Sequence, residues 1–245
     1  MATRWHRCTP ASTFGRTTDR LVTRAAIVTR VVKPLLYVTA VLPFAWIVSA
    51  LATDRVNGDQ VKFIQHTTGL TVLVSLFITL SVTPLRRLTG WNEVSRTRRL
   101  IGLTAFWYAL LHFLTYVVFD QSLSVADITE DVAKHPWVLV GFGSFLMLVP
   151  LAVTSTNGWI RRLGGKRWRQ LHSLVYPVAA GGVLHFLWLV KKDVRTPLYF
   201  AAVLAVLLTL RFWIYLTSGR VPARVSAPRQ DAARSPVRSA GEDAA

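Results

Sequence analysis

The sequence predicts an all-α fold, a six-helix transmembrane bundle with both termini in the cytoplasm. Three observations predict it. Of the 245 residues, 52% are hydrophobic, and the mean hydropathy is +0.38. The apolar residues gather into six runs near the roughly 20 residues that one bilayer crossing takes at a 1.5 Å rise. The charges, 29 Lys and Arg against 12 Asp and Glu, sit in the gaps between those runs.

Taken in order, the runs cover residues 34–52, 67–83, 100–119, 137–154, 171–190 and 197–216. In lipid each must be a helix, because every backbone amide needs a partner inside its own segment. The first run follows a basic arm, 1–33, whose start (MATRWHRCTPASTFGRTTDR) has no apolar core beside a small-residue cleavage site; no cleaved signal peptide is read there. The second run is short. The third, within GLTAFWYALLHFLTYVVF, contains His112. The fourth contains Gly141 and Gly143, but GFGSFL lacks the third glycine of a dinucleotide fingerprint, and small residues for close helix packing explain it better. The fifth contains His172 and His185, with Pro177 and Gly181-Gly182 between them, residues that kink a helix or leave room against it for something flat. The sixth leads into a Pro-, Ala- and Arg-rich tail, 218–245, expected to be disordered. The membrane domain is thus 34–217, without an evident internal repeat. Cys8 is the single cysteine, which excludes an intrachain disulfide and thiolate metal clusters.

Charge sets the orientation. The arm through Lys33 holds seven Lys and Arg, the gaps 84–99 and 155–170 hold five each, and the tail from Arg211 holds six, which puts 23 on one side. The other side holds six: Arg55, Lys62, Lys134, Lys191, Lys192 and Arg195, together with seven of the twelve acids. The positive-inside rule places the basic side, with both termini, in the cytoplasm. Anionic lipid headgroups account for the net charge of +17, so nucleic acid is not needed as a partner.

Ionisable side chains inside a membrane are candidate functional sites. His6 lies in the arm and His135 in an outer loop, where solvation explains both; His66 opens the second run at its outer end. His112 is thirteen residues past Arg99, roughly 20 Å, and His185 is sixteen past Arg169, roughly 24 Å. The two share a depth in the outer half. His172 is only three past Arg169, roughly 5 Å in. His172 and His185 stand roughly 20 Å apart along the axis and point some 140° apart, so they cannot be the two axial ligands of one macrocycle. Neutral imidazole ligates iron, and bundle cores hold cofactors. A haem b between the third and fifth helices, with His112 and His185 as axial ligands, would be an electron carrier because no coordination position is left open. The plainer reading has each histidine hydrogen-bonding a neighbouring helix. His172 is left with several readings: a second haem with a non-histidine partner, a flavin, or a polar anchor. Phe106, Trp107, Phe113, Tyr116, Phe186 and Trp188 surround the site as possible macrocycle lining or as ordinary core and belt residues. Arg98, Arg99, Arg161, Arg162 and Arg169 could meet propionates or a flavin phosphate, although topology alone accounts for each.

Several stretches carry a resemblance: VKFIQHTTG (61–69), TPLRRL after the second run, RTRRLIGL (96–103) leading to LHFLTY (111–116), TSTNGWIRRLG (154–164) and WRQLHSLVY…LHFLW (168–188). In this order they resemble the haem-binding membrane subunit of the bacterial periplasmic methionine sulfoxide reductase system, the MsrQ (YedZ) family, over about residues 34 to 217. That family belongs with the ferric-reductase-like transmembrane domains. The resemblance implies a bacterial inner-membrane protein with one or two haems b, FMN as a possible further cofactor, and haem-associated histidines at His112, His172 and His185. It implies an electron-transfer subunit rather than a catalytic one. A cytoplasmic flavin reductase or the quinone pool would donate, and a periplasmic molybdopterin subunit would reduce methionine sulfoxide in oxidised proteins. The outer loop 120–136 and the tail look particular to this chain. A stand-alone ferric or quinone reductase is an alternative, weakened by cytoplasmic loops of about sixteen residues with no glycine fingerprint after a strand. A cofactor-free transporter or assembly protein is another, weakened because Asp120 and Asp193 fall only at span ends.

Reporter fusions test the orientation. A phosphatase active only outside the cytoplasm should be silent when fused within 155–170 and active within 120–136; the reverse pattern refutes the charge argument.

Overall fold

The computed structural model describes residues 26–56, 58–190 and 193–218. Most of the basic arm, with Cys8 and His6, lies outside the described residues, as do Lys191, Lys192 and the tail expected to be disordered. Every regular element among the described residues is helical. Six stretches are long and apolar enough to cross a membrane: Val28–Ala52, Gln60–Thr89, Asn92–Asp120, Pro136–Val153, Asn157–Leu189 and Arg195–Thr217. Each expected run falls on one of them, and the chain is a multi-pass membrane protein.

The elements are α1 (Lys33–Ala52), α2 (Gln60–Thr89), α3 (Arg98–Thr115), α4 (Val125–Lys134), α5 (Pro136–Val153), α6 (Asn157–His172), α7 (Val175–Leu189) and α8 (Arg195–Ser218). A π turn, Val28–Val32, extends α1 backwards into the arm, and a second, Tyr116–Asp120, extends α3. Asp59 caps α2 by accepting the Lys62 N–H at 3.1 Å, and its hydrogen bond with the Lys62 side chain holds its carboxyl below the usual carboxylate range.

The core is built around α2. Its Leu73, Leu76, Phe77 and Leu80 pack with Ala105 of α3, Leu148 and Leu151 of α5, Val178, Ala179, Val183 and Phe186 of α7, and Leu204 of α8. Half of the α2 span is buried, against 11% for the α1 span and 6% for the α8 span. α1 and α8 therefore turn most of their apolar surface to lipid, where hydrophobicity all round a helix is no liability.

Three elements differ from expectation, each for a local reason. The second run was expected to stop at residue 83, but α2 continues through Pro84. Proline has no N–H, so the Leu80 carbonyl four residues earlier loses its helical donor. Arg211 of α8 replaces it, donating from Nε to Leu80 O at 3.0 Å. The same guanidinium donates from Nη2 to Thr83 Oγ1 at 2.9 Å and from Nη1 to the Tyr176 hydroxyl, and lies over the Tyr176 ring at 5.2 Å. Counted from sequence as the first charge of the tail, Arg211 is instead inside α8 and fastens it to α2 and α7.

The gap 155–170 is the second difference. It is mostly helix: α6 carries Arg161, Arg162, Lys166, Arg167 and Arg169, and bends at Gly164, whose φ of 73° and ψ of 153° belong to a region essentially restricted to glycine. A basic helix beside a span is suited to lie along a headgroup layer. The outer segment 120–136 likewise contains α4. Thirdly, the fifth run is not one helix. α6 ends at His172, and α7 begins at Val175. Pro177 cannot donate to Ser173 O, which takes the Tyr176 N–H at 3.1 Å instead. The 140° offset of an unbroken helix therefore does not describe His172 and His185.

Tyr108 of α3 supplies another polar tie between spans. Its hydroxyl donates to Ala40 O at 2.6 Å and accepts from Phe44 N–H at 3.1 Å. Those are the two backbone groups that a straight helix would join directly, and Pro43 sits beside them. Removing either tie leaves backbone groups in hydrocarbon without a partner, which costs about 1–3 kcal/mol. Tyr108→Phe and Arg211→Met should each lower unfolding stability in detergent by that amount, measured by thermal or denaturant titration.

Candidate functional site

The site forms where α3 and α7 face each other in the half of the bundle away from the arginine-rich ends. His112 leaves α3 towards α2. Its Nδ1 lies 3.0 Å from Gln65 O and 3.1 Å from Thr68 Oγ1. The Thr68 hydroxyl itself donates to Ile64 O at 2.7 Å, so towards the ring it accepts. His185 leaves α7 towards α5, and its Nδ1 lies 2.7 Å from Trp137 O. A carbonyl oxygen can only accept, so Nδ1 of each ring carries the proton and each Nε2 keeps its lone pair. This is the tautomer in which a neutral imidazole ligates a metal through Nε2, oriented by the hydrogen bond on its other nitrogen.

The two rings meet. Their centroids are 6.3 Å apart and their planes are perpendicular. Gly141 makes room for the His185 ring, while Gly69 lies at ordinary contact distance from the His112 ring. A Cβ on Gly141 would fall 2.7 Å from His185 Nδ1 and 2.9 Å from its Cε1, and one on Gly69 would fall 3.4 Å from His112 Cε1. Reading Gly141 as a packing glycine is therefore right, and the group it admits is the histidine. Gly143 has open space around it.

His172 stands apart. It closes α6, with Nε2 3.1 Å from Thr154 Oγ1, a hydroxyl that donates to Pro150 O at 2.6 Å. Nε2 is therefore the protonated nitrogen here, the opposite tautomer to the other two. Trp168 covers one face of the ring, with centroids 4.0 Å apart, and anchors itself through Nε1 to Thr154 O at 3.0 Å. His66 is exposed on α2, with its ring edge-on to Phe186 at 6.3 Å. His135 is not a merely solvated loop residue: its Nδ1 pairs with Asp131 at 2.6 Å, and its ring lies 4.5 Å from Trp137.

Among the aromatic residues, Phe106 and Phe113 stack on Phe145 between α3 and α5, at 6.4 Å and 4.9 Å. Phe186 is buried, while Trp107 and Trp188 are exposed as belt residues would be. Tyr116 donates to Asp131 at 2.6 Å. Of the arginines, Arg98 reaches the same Thr83 hydroxyl that Arg211 holds. Among the described residues no three His, Cys, Asp or Glu side chains gather as a metal site.

Residues 65–183 match the family model of the ferric reductase like transmembrane component. The matched stretch begins at Gln65, whose carbonyl holds His112, and runs through α2, α3 and α5 into α7. The class is thus a ferric-reductase-like membrane protein. Within it, the chain is 46% identical over 187 residues, 75% of its length and 86% of the relative's, to the protein-methionine-sulfoxide reductase heme-binding subunit MsrQ of Herminiimonas arsenicoxydans. The same-named protein of Xanthomonas oryzae is 45% identical over 82% of this chain and 94% of its own, and that of Ralstonia nicotianae 46% identical over 75% and 86%. The chain belongs to the MsrQ family.

Gly141→Ala should force His185 aside and cost about 1–3 kcal/mol of stability, the usual penalty of overpacking. Gly143→Ala, with open space, should be neutral or gain up to about 1 kcal/mol from helix propensity. Equal effects of the two substitutions in detergent unfolding would contradict the close approach at Gly141.

Proposed function

We propose that this chain is a b-type cytochrome subunit, with haem b held between α3 and α7 by His112 and His185. One observation carries the reading: two rings on different helices face each other at 6.3 Å, each with Nδ1–H on a backbone carbonyl and Nε2 free to ligate. Were iron bound there, each ring would offer it the nitrogen not engaged with the backbone. A haem held there by His112 and His185 would supply a one-electron couple, suited to carrying electrons rather than activating oxygen. The name shared by the relatives, heme-binding subunit of a protein-methionine-sulfoxide reductase, supports the same assignment.

The protein's part is to orient and to exclude. Gln65 O and Trp137 O fix the two imidazole tautomers and raise their basicity as ligands. Gly141 lets the His185 ring approach α5 closely. Leu73, Val183 and Phe186 exclude water from the surrounding core. With the arginine-rich ends in the cytoplasm of a bacterial inner membrane, the pair lies in the outer half of the bilayer, which suits onward transfer outward. In this reading electrons enter from a cytoplasmic flavin reductase or the quinone pool. They leave to an extracytoplasmic molybdopterin subunit that reduces methionine sulfoxide in damaged proteins. His172, bonded to Thr154 and covered by Trp168, stays outside the pair.

The purified chain, reduced with dithionite, should show a b-type absorption spectrum. His112→Ala and His185→Ala should each abolish it, and His172→Ala should retain the signal of the pair. An unchanged spectrum in both of the first two variants refutes the assignment.

A further inference from the structure

Away from the arginine-rich ends, one carboxylate reaches the surroundings of both facing histidines. Asp131 of α4 accepts the Tyr116 hydroxyl on Oδ2 at 2.6 Å and the Gln121 amide at 3.2 Å, and its Oδ1 lies 2.6 Å from His135 Nδ1. Tyr116 follows His112 by four residues and so stands on the same helix face one turn further on. His135 precedes Trp137 by two residues, and their rings pack at 4.5 Å. Trp137 in turn presents the carbonyl that holds His185. Asp131 thus joins the end of α3, just beyond one histidine, to the start of α5, where the other is anchored.

The other acids of α4 do nothing comparable. Glu130 pairs with Lys134, both well exposed, and such a surface pair contributes little. Asp127 is exposed on the same helix. The Asp131 side chain is only 22% exposed, which strengthens its hydrogen bonds relative to those on the surface.

We propose that Asp131 is a positioning residue for the His112–His185 pair, acting through Tyr116 on one side and through His135 and Trp137 on the other. α4 is then a strap closing the rim of the site rather than a passive loop. The inference rests on the reading of that pair as the haem-holding site. Groups bonded directly to metal-ligating histidines typically matter by 10–100-fold in affinity, and Asp131, one step further out, is expected at the low end of that range.

The test uses the full chain in detergent, with hemin titrated by absorbance, midpoint potential measured by spectroelectrochemistry, and amide hydrogen exchange followed with and without hemin. Asp131→Ala should weaken hemin binding by about tenfold. It should also speed exchange in the first turn of α5 and in 116–120, in haem-free protein as well. Asp131→Asn keeps an acceptor for Tyr116; it should bind within about twofold of wild type but at a raised potential, because a nearby negative charge favours the oxidised metal. Asp127→Ala removes a charge from the same helix and should match wild type. In the double variant Tyr116→Phe/Asp131→Ala the losses should be less than additive. Wild-type affinity, potential and exchange in Asp131→Ala overturn the proposal and leave the haem reading standing. Failure of the wild type to take up hemin overturns that reading instead, and exchange in the haem-free protein still decides whether Asp131 clamps the rim.

Discussion

A carbonyl oxygen facing hydrocarbon must be given a donor, and the polar side chains of this bundle are arranged around that demand. Arg211 meets the Leu80 carbonyl that Pro84 leaves without its helical partner. Tyr108 stands between the Ala40 carbonyl and the Phe44 amide beside Pro43. The two facing histidines donate to Gln65 O and Trp137 O, carbonyls that lie inside α2 and α5. Each bond satisfies a buried group and fixes a side chain that would otherwise rotate. For the histidines the fixed quantity is chemical as well as geometric. A ring that donates from Nδ1 to a carbonyl has no choice of tautomer, and its other nitrogen is left as a ligand.

This dependence joins the fold to the site. α2 lies at the centre because it offers apolar surface to α3, α7 and α8 together, and it also carries Gln65, Thr68 and Gly69 behind His112. α5 contributes Trp137 and Gly141 behind His185. The pair is therefore held by the two helices that do not carry it, and the electron-carrying role proposed here asks for such rigidity.

The six spans were legible because a bilayer crossing needs a run of known length, and that requirement leaves its mark directly in residue type. α4 and α6 were not legible. Their charges, Asp127, Glu130 and Asp131 on one and Arg161 to Arg169 on the other, break the apolar runs and read as loops, although amphipathic helices beside a membrane have that composition. Pro84 and Pro177 show why boundaries slip. The first is passed by α2 because a distant arginine repairs the ladder, and the second accompanies a break between His172 and Val175. Nothing local in the sequence distinguishes the two cases. In the site, the shared depth of His112 and His185 followed from helix rise. The acceptors that orient them did not, because backbone carbonyls carry no residue-type signal. Arg211, counted with the charges of the tail, and His135, taken as a solvated residue of an outer loop, were misread by position: each is engaged by a residue on another element.

The central claim is that two imidazoles with crossed planes hold one iron between α3 and α7. Low-temperature electron paramagnetic resonance of the oxidised, purified protein tests it most directly, because the low-spin ferric signal responds to the angle between axial imidazole planes. With rings at 90°, the strongly anisotropic signal of perpendicular ligands is predicted. A high-spin signal from a five-coordinate iron, or the ordinary rhombic signal of coplanar rings, would contradict the account.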